Sequence, residues 1–395
     1  MVGAARTRDV VVVGGGPAGS ALAHRLASLG RDVLLLDRAE FPRRKPCGEC
    51  VNPAAVRALD RLGVLPAVLA AHPAPLHGWR IGAGAEGFGG SFPRGESGFA
   101  LPRAVLDRIL LDHARAAGAE VRTGVRVTDL LRDESGAVAG VRGVDADGRP
   151  VEIPARLVVG ADGLRSVVLR RLGLLKRGPR LRKLALTAHV TGMHDMGGRG
   201  ELRVRGRECV GIADVGDGSA NVTVVVTGGH AEGVRGHAAD FFDDALRRHG
   251  IGAWRVDDVL ATGPFDWPIR RAVADGALLV GDAAGYYDPF TGQGIYRALH
   301  GAELAARTVD AALRAGGVTS AALAPYDRAR RRAFGAGERV QHVVEGVVSR
   351  PALFGAVAAR FRRRPVLADA VIRVTGDVSP VRSLLRPSLL ARLVW

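Results

Sequence analysis

Runs of four or five apolar residues, each closed by a glycine turn, set the rhythm of the N-terminal third. Residues 9–13 (DVVVV) form a short β-branched run, 18–29 have helical composition with Gly30 as a stop, and 33–36 (VLLL) are a second apolar run. A strand, helix and strand of these lengths predict a right-handed crossover between parallel strands. Residues 102–117 read as a helix and 121–131 as a partly alternating strand. Residues 151–159 lead into Gly160-Ala161-Asp162-Gly163, and 277–280 into Gly281-Asp282, as further pieces of one sheet. The texture changes over 76–100 and 184–226, where glycine and short alternating runs predict antiparallel sheet. From Ile295 onward the pattern is helical, with breaks at Pro351, Pro365, Pro380 and Pro387. The expected fold is an α/β domain (1–75, 102–180 and 272–340) interrupted twice by an antiparallel-sheet domain (76–101 and 181–271). A helical region (341–395) follows it.

Composition narrows the class. With 47% hydrophobic positions in 395 residues there is ample material for a core, which excludes a disordered chain. Three cysteines exclude a disulfide scaffold and fit a reducing, cytoplasmic setting. No apolar run reaches the roughly 18 residues of a membrane span. Asp9 and Gly14-Gly15-Gly16 interrupt the only stretch resembling a signal peptide. The net charge of +16 suggests nucleic acid, but aromatics are only 5%, too few for base-stacking platforms, and the arginines are scattered. No nucleic-acid partner is expected. The exception is 341–395, where nine arginines face Glu345, Asp369 and Asp377. That balance suits a solvated helical face or peripheral contact with an anionic membrane.

The first candidate chemistry is Gly14-x-Gly16-x-x-Gly19, directly after a strand and opening a helix. Gly14 permits the tight turn, Gly16 the approach of a pyrophosphate, and Gly19 close helix packing, with the helix N-terminus facing the phosphates. Asp37, at the end of the second strand, is placed to accept hydrogen bonds from ribose hydroxyls. This half-site serves NAD and FAD alike.

Two later stretches separate them: Gly160-Ala161-Asp162-Gly163-Leu164-Arg165-Ser166, and Gly281-Asp282-Ala283-Ala284 with Asp288-Pro289-Phe290-Thr291-Gly292-Gln293-Gly294-Ile295. In this order over about residues 9–310, the set resembles the FAD-dependent oxidoreductases of the p-hydroxybenzoate hydroxylase and geranylgeranyl reductase superfamily. The resemblance implies a glutathione-reductase-type FAD domain with a substrate domain inserted. It implies that Gly14, Gly16, Ala18, Gly19, Asp37 and Arg38 hold the adenosine and diphosphate side of FAD. Arg103 packs near phosphate and ribityl, Val127 meets the adenine through its backbone, and Asp162 holds a linking turn. Asp282 takes the ribityl chain, and Gly292, Gly294 and Ile295 offer N–H groups to the isoalloxazine. A positive helix end there favours an anionic reduced flavin.

The segment Phe41-Pro42-Arg43-Arg44-Lys45-Pro46-Cys47-Gly48-Glu49-Cys50 resembles the geranylgeranyl reductase branch, which implies that Cys47, Gly48 and Cys50 line the FAD site. Three readings stay open: a redox disulfide, a zinc site lacking further ligands, and a loop packing on the ring with Cys47 in a catalytic part. The third is favoured, and no metal is expected. Arg43, Arg44 and Lys45 suit either the phosphates of NADPH or a solvated loop. With only one dinucleotide fingerprint, NAD(P)H is expected as a transient donor.

The aromatic strand Y-x-W-x-F-P of geranylgeranyl reductases has no counterpart in residues 208–214 (ECVGIAD), and the halogenase W-x-W-x-I-P is absent too. The expectation is therefore a monooxygenase of an aromatic or polyketide-like molecule. The alternative is double-bond reduction of an isoprenoid or lipid; halogenation and a non-catalytic flavin protein stand behind both. The apolar or aromatic substrate is expected between flavin and antiparallel sheet, with Trp79, Phe92, Phe99, Phe265, Trp267, Tyr286, Tyr287 and Phe290 as candidate lining. His189, His194 and His230 show no metal spacing.

Overall fold

In the structure, a computed structural model, residues 6–82, 87–193, 195–228, 234 and 236–389 are described. The valine and leucine runs become the middle of a parallel sheet. Its strands lie in the order Ala277–Leu279, Pro150–Gly160, Arg8–Val13, Val33–Leu36, Glu120–Arg122. Val10–Val13 and Leu34–Leu36 are all but fully buried, because both faces of the sheet are covered and no side is left for alternation. Helices Pro17–Ser28, Arg103–Ala116 and Gly294–Arg314 pack on this core. An antiparallel meander, Arg126–Arg132, Val138–Val144 and the first half of Pro150–Gly160, grows from it. The run 121–131 is broken at Gly124, whose φ of +72° turns the chain between two strands in the sheet.

The second sheet joins segments far apart in sequence. Its strands are ordered Trp254–Arg255, Lys183–Thr191, Ser219–Thr227, Glu208–Gly216, Arg199–Arg205, Gly78–Gly82, Phe88–Ser91, and Leu260–Thr262 adds to Lys183–Thr191. It is antiparallel apart from the parallel pairing of Arg199–Arg205 with Gly78–Gly82. Alternation divides its two faces. Leu186, Val210, Val222, Val224 and Val226 pack beneath helix Ala238–Arg248, against Phe242, Ala245 and Leu246. The residues between them point the other way, toward the first domain. A small sheet, Cys50–Val51, Gly98–Ala100 and Ala74–Leu76, anchors the end of the 41–50 loop.

The C-terminal helices cover the edge of the second sheet. Pro351–Arg363 and Pro365–Thr375 each start with proline at the first helical position. Ala358, Ala368 and Ile372 bury against Phe88 and Phe92, and Asp369 accepts from the Ser91 N–H at 2.8 Å. This hides strand Phe88–Ser91 from edge pairing. Helix Ser320–Val348 runs unbroken through position 340, so no structural break marks the start of the C-terminal region there. A break not anticipated falls at 315–319, around Gly316-Gly317. No helix among the described residues is long and apolar enough to cross a membrane.

Candidate functional site

The first glycine turn shows which of its glycines serve the fold and which leave room. Gly14 has φ +110°, and a Cβ on it would lie 2.4 Å from the Ala161 carbonyl oxygen; one on Gly19 would lie 1.8 Å from the Gly14 oxygen. A Cβ on Gly16 would meet nothing nearer than the guanidinium nitrogens of Arg43 at 3.7 Å and Arg103 at 3.9 Å. Beside it begins helix Pro17–Ser28, with no side chain capping its first N–H groups. An open space framed by two guanidinium groups and a helix N-terminus is a site for a diphosphate. Gly48, Gly292 and Gly294 likewise border empty space. Asp162 accepts from the Val167 N–H at 2.6 Å through one oxygen, while its other oxygen is buried without a partner. Burial pushes that carboxyl up. Hydroxyl groups of a bound ribityl or ribose are the donors such an acceptor lacks. The residues present therefore fit FAD.

Loop 41–50 closes the space. Arg103 is fixed by both oxygens of buried Asp107, at 2.8 and 2.7 Å. Burial opposes its charge, but Asp107 and the Cys47 sulfur outweigh it and hold the guanidinium above its ordinary value. Arg43 stacks on Phe41 and reaches Asp107 at 3.2 Å, whereas Arg44 is exposed and pairs with Asp257 at 2.9 Å. Lys45 faces the cavity; burial and neighbouring Arg103 push its ammonium down. The three cysteines are free thiols. Cys50 donates to the Gly48 carbonyl at 3.1 Å and burial pushes its thiol up, whereas Cys47 accepts from the Glu49 N–H at 3.4 Å. Asn221, on the second sheet, donates to the Cys47 carbonyl at 3.0 Å.

Glu49, 3% exposed and at φ +58°, is the pivot of this loop. One oxygen accepts from the Arg103 N–H at 2.7 Å, and the other meets His189 Nε2 at 2.8 Å. His189 Nδ1 meets Asp257 at 2.6 Å. Glu49 foremost, against burial and with Asp257 added, raises the imidazolium pKa to about 8. Since the folded value lies above the unfolded one, the stabilisation is complete below about pH 6.5 and disappears as pH rises through about 8. It is on the order of 1 kcal/mol once partial solvent screening is allowed for. The difference in melting temperature between wild type and His189→Gln is expected to be largest at pH 6 and to vanish by pH 9. A difference independent of pH would show that His189 is not charged here.

The far wall comes from the second strand–turn motif. Asp282 lies in the turn Gly281–Ala284 after strand Ala277–Leu279, and a Cβ on Gly281 would stand 2.8 Å from that of Ala18, which keeps both residues small. Gly294 and Ile295 open the 21-residue helix Gly294–Arg314 toward the cavity. Its N-cap residue Gln293 turns its side chain away, donating to Asp377 at 2.7 Å. Asn52 also donates to Asp377, at 3.0 Å, and burial holds that carboxyl at about 7. The C-terminal region thus clamps the turn before this helix. Buried Lys183 binds Asp288 at 2.7 Å and also Glu345, joining the second sheet, the motif and helix Ser320–Val348.

These walls enclose one cavity of about 430 Å³ between the two sheets. Residues 7–213 match the family model described as FAD binding domain. The digeranylgeranylglycerophospholipid reductase of Methanosarcina mazei is 31% identical over 320 residues, covering 79% of this chain and 77% of that protein. The menaquinone reductase of Mycolicibacterium smegmatis is 33% identical over 336 residues, with 79% and 77% covered. The chain belongs to the p-hydroxybenzoate hydroxylase and geranylgeranyl reductase superfamily. This FAD-dependent oxidoreductase shares its fold with the myxobacterial chondrochloren halogenase (TM-score 0.80, 24% identity, 97% and 93% of the chains). It is also similar to P. aeruginosa PqsL in complex with 2-aminobenzoylacetate (TM-score 0.74, 25% identity, 89% and 99%).

Within the oxidoreductase, Gly16, Ala18, Cys47, Gly48, Cys50, Arg103, Asp282, Gly292, Gly294 and Ile295 line the cavity. Gly14 and Gly19 sit behind it as packing positions. Asp37 accepts from the Gly15 and Ala39 N–H groups at 2.7 and 2.9 Å. Arg38 is exposed beyond it, and Val127 is buried in the meander, two residues after Val125, whose N–H donates to the Asp37 carbonyl. Asp162 lies between cavity-lining Ala161 and Gly163. Of the aromatic candidates, Trp79, Phe265, Tyr286 and Phe290 line the cavity. Phe92 and Phe99 instead fill cores, Trp267 ties back to the Pro264 carbonyl at 2.7 Å, and Tyr287 stacks on His342. His194 and His230 lie outside the described residues. The sequence did not nominate Glu49, His189, Asn221 or Lys183. Lys183 carried a faint signal as one of three lysines among 56 basic residues.

Proposed function

We propose that this oxidoreductase takes hydride equivalents from NAD(P)H and reduces carbon–carbon double bonds of an elongated apolar substrate, an isoprenoid or similar lipid. The observation that carries this reading is the shape of the cavity. It follows one face of the second sheet through four successive rows: Asn221 and Ala213, then Thr187, Thr223 and Gly211, then Ala185, Val225 and Cys209, then Lys183 and Thr227. Three steps of two residues make the groove about 20 Å long. Cys209, Gly211 and Ala213 come from the stretch that lacks the aromatics of the reductase motif. Their small size opens the groove, so the missing rings do not argue against a long substrate, contrary to the expectation from sequence. The reductases at 31% and 33% identity support the same reading.

FAD, when bound, supplies the two-electron step. The chain's residues do the rest. Arg43, Arg103 and the N-terminus of Pro17–Ser28 hold the diphosphate, while loop 41–50 and the sheet keep water away. Cys47 lines the loop end of the groove, with its sulfur beside the Arg103 guanidinium. A thiol in that place also suits reduction better than oxygenation, because it would consume a peroxide oxidant.

Oxygenation of a compact aromatic substrate is the second reading, supported by the likeness to PqsL over 89% of the chain. One experiment separates them: incubation with NADPH and a polyprenyl lipid under nitrogen and in air, with products weighed by mass spectrometry. Gain of two hydrogens per double bond without air is expected. Products gaining oxygen, formed only in air, would replace this reading by the second.

A further inference from the structure

We propose that Asp377, in the C-terminal region, is a positioning residue for the cofactor: its one carboxyl holds both the turn 291–294 and the chain leaving loop 41–50. Oδ1 accepts from the Gln293 amide at 2.7 Å, and Oδ2 accepts from the Asn52 amide at 3.0 Å. Gln293 is the N-cap residue of helix Gly294–Arg314, and Gly292 and Gly294 on either side of it line the cavity. Its own oxygen accepts from Thr291 at 3.0 Å and from Gln341 at 3.2 Å, which draws the turn together on its outer side. Asn52 follows cavity-lining Cys50 by two residues, and its Oδ1 accepts from the Ala55 N–H at 2.9 Å to open helix Pro53–Arg61. Asp377, Gln293 and Asn52 stand outside the cavity lining, so they set the position of its walls rather than touch its contents. Asp377 acts on the cofactor site and so serves reduction and oxygenation alike.

The backbone at this position is costly for an aspartate. Helix Pro365–Thr375 ends in paired bonds, from the Asp377 N–H to the Val374 carbonyl at 3.1 Å and from the Val378 N–H to the Arg373 carbonyl at 3.0 Å. The left-handed residue of such a turn is usually glycine. Here it is Asp377, at φ +55°. Glycine stands one place earlier, where a Cβ on Gly376 would lie 2.5 Å from the Phe92 ring. The carboxyl makes no ion pair among the described residues. The cations facing it, Arg57 and Arg297, pair with Glu96 and Glu338 instead, and Tyr296 is a further titratable neighbour. A side chain kept on unfavourable backbone, without a counter-charge, is retained for what its two amides hold. Burial raises the carboxyl to about 7. Ionised, each oxygen accepts from one amide. Protonated, one oxygen becomes a donor facing an amide N–H, and one of the two ties is lost. The walls are therefore held more firmly above about pH 7 than below it.

Release of FAD on dilution of the holoenzyme, followed by flavin fluorescence, tests this in wild type and in Asp377→Asn. Asparagine suits left-handed backbone and carries one acceptor and one amide donor, so it reproduces the protonated pattern at every pH. At about pH 8.5 the variant is expected to hold FAD about ten-fold more weakly than wild type, and at about pH 5.5 to match it within about two-fold. The ratio should change through about pH 7. His189 titrates alike in both proteins and cancels from that ratio. Asp377→Gly, which relieves the backbone and removes both ties, should hold FAD at least about ten-fold more weakly than wild type at both pH values. FAD affinity unchanged in the two variants, with or without a fall in melting temperature, would overturn this role, and so would an Asp377→Asn to wild-type ratio indifferent to pH.

Discussion

Replacing Gly16 by valine is expected to give a folded but colourless protein, with FAD content at least about ten-fold below wild type. The backbone at Gly16 is extended (φ −78°, ψ −175°), a conformation open to valine. The nearest atoms to a Cβ are guanidinium nitrogens at 3.7 and 3.9 Å, so the polypeptide itself offers no obstacle. The methyl groups would occupy the space between Arg43, Arg103 and the helix N-terminus, where a diphosphate belongs. Loss of a ligand that binds only the native state should also lower the melting temperature. Gly19→Ala is the contrast: its Cβ would fall 1.8 Å from the Gly14 carbonyl oxygen, on backbone that cannot move aside, and the variant should not fold. Flavin absorbance relative to protein absorbance, with far-ultraviolet circular dichroism as the check on folding, reads both. A yellow Gly16→Val protein would mean that the diphosphate lies elsewhere.

The same turn shows what a sequence discloses. Val10–Val13 and Leu34–Leu36 could be read as parallel strands because burial on both faces removes alternation, and the glycine spacing located the helix N-terminus between them. Local patterns of that kind depend on neighbours a few residues away. The Glu49–His189–Asp257 chain does not: its members are separated by 140 and 68 residues, and only the pairing of the second sheet with loop 41–50 brings them together. The same holds for Lys183 with Asp288 and Glu345, and for the parallel joining of Gly78–Gly82 to Arg199–Arg205 across more than a hundred residues. Four of the eight aromatic candidates, Phe92, Phe99, Trp267 and Tyr287, lie away from the cavity for a related reason. Phe92 was placed beside the substrate by its domain, yet the C-terminal helices arrive from the far end of the chain and bury it.

A phenylalanine at position 211 is expected to shorten the groove and with it the substrate. Gly211 lies in the second row of the cavity face, between Thr223 and Leu202 on the neighbouring strands. A Cβ there would touch Leu202 at 3.4 Å and the Thr223 carbonyl at 3.9 Å, both ordinary contacts, so the first carbon of a new side chain is accommodated. The ring beyond it has only the cavity to enter. Because that space is empty rather than packed, the cost to folding should be small compared with the 1–3 kcal/mol typical of an overfilled core, roughly below 1 kcal/mol. The diphosphate turn is untouched, and both FAD content and the rate of flavin reduction by NADPH should stay near wild type. A C20 polyprenyl substrate, unable to pass row two, should lose about 100-fold in kcat/KM, equivalent to about 2.7 kcal/mol of transition-state stabilisation. A C10 analogue reaching no further than the loop end should keep most of its rate. Equal losses for both lengths would indicate damage to the flavin end, and unchanged turnover of the long substrate would show that it does not lie along this face of the sheet.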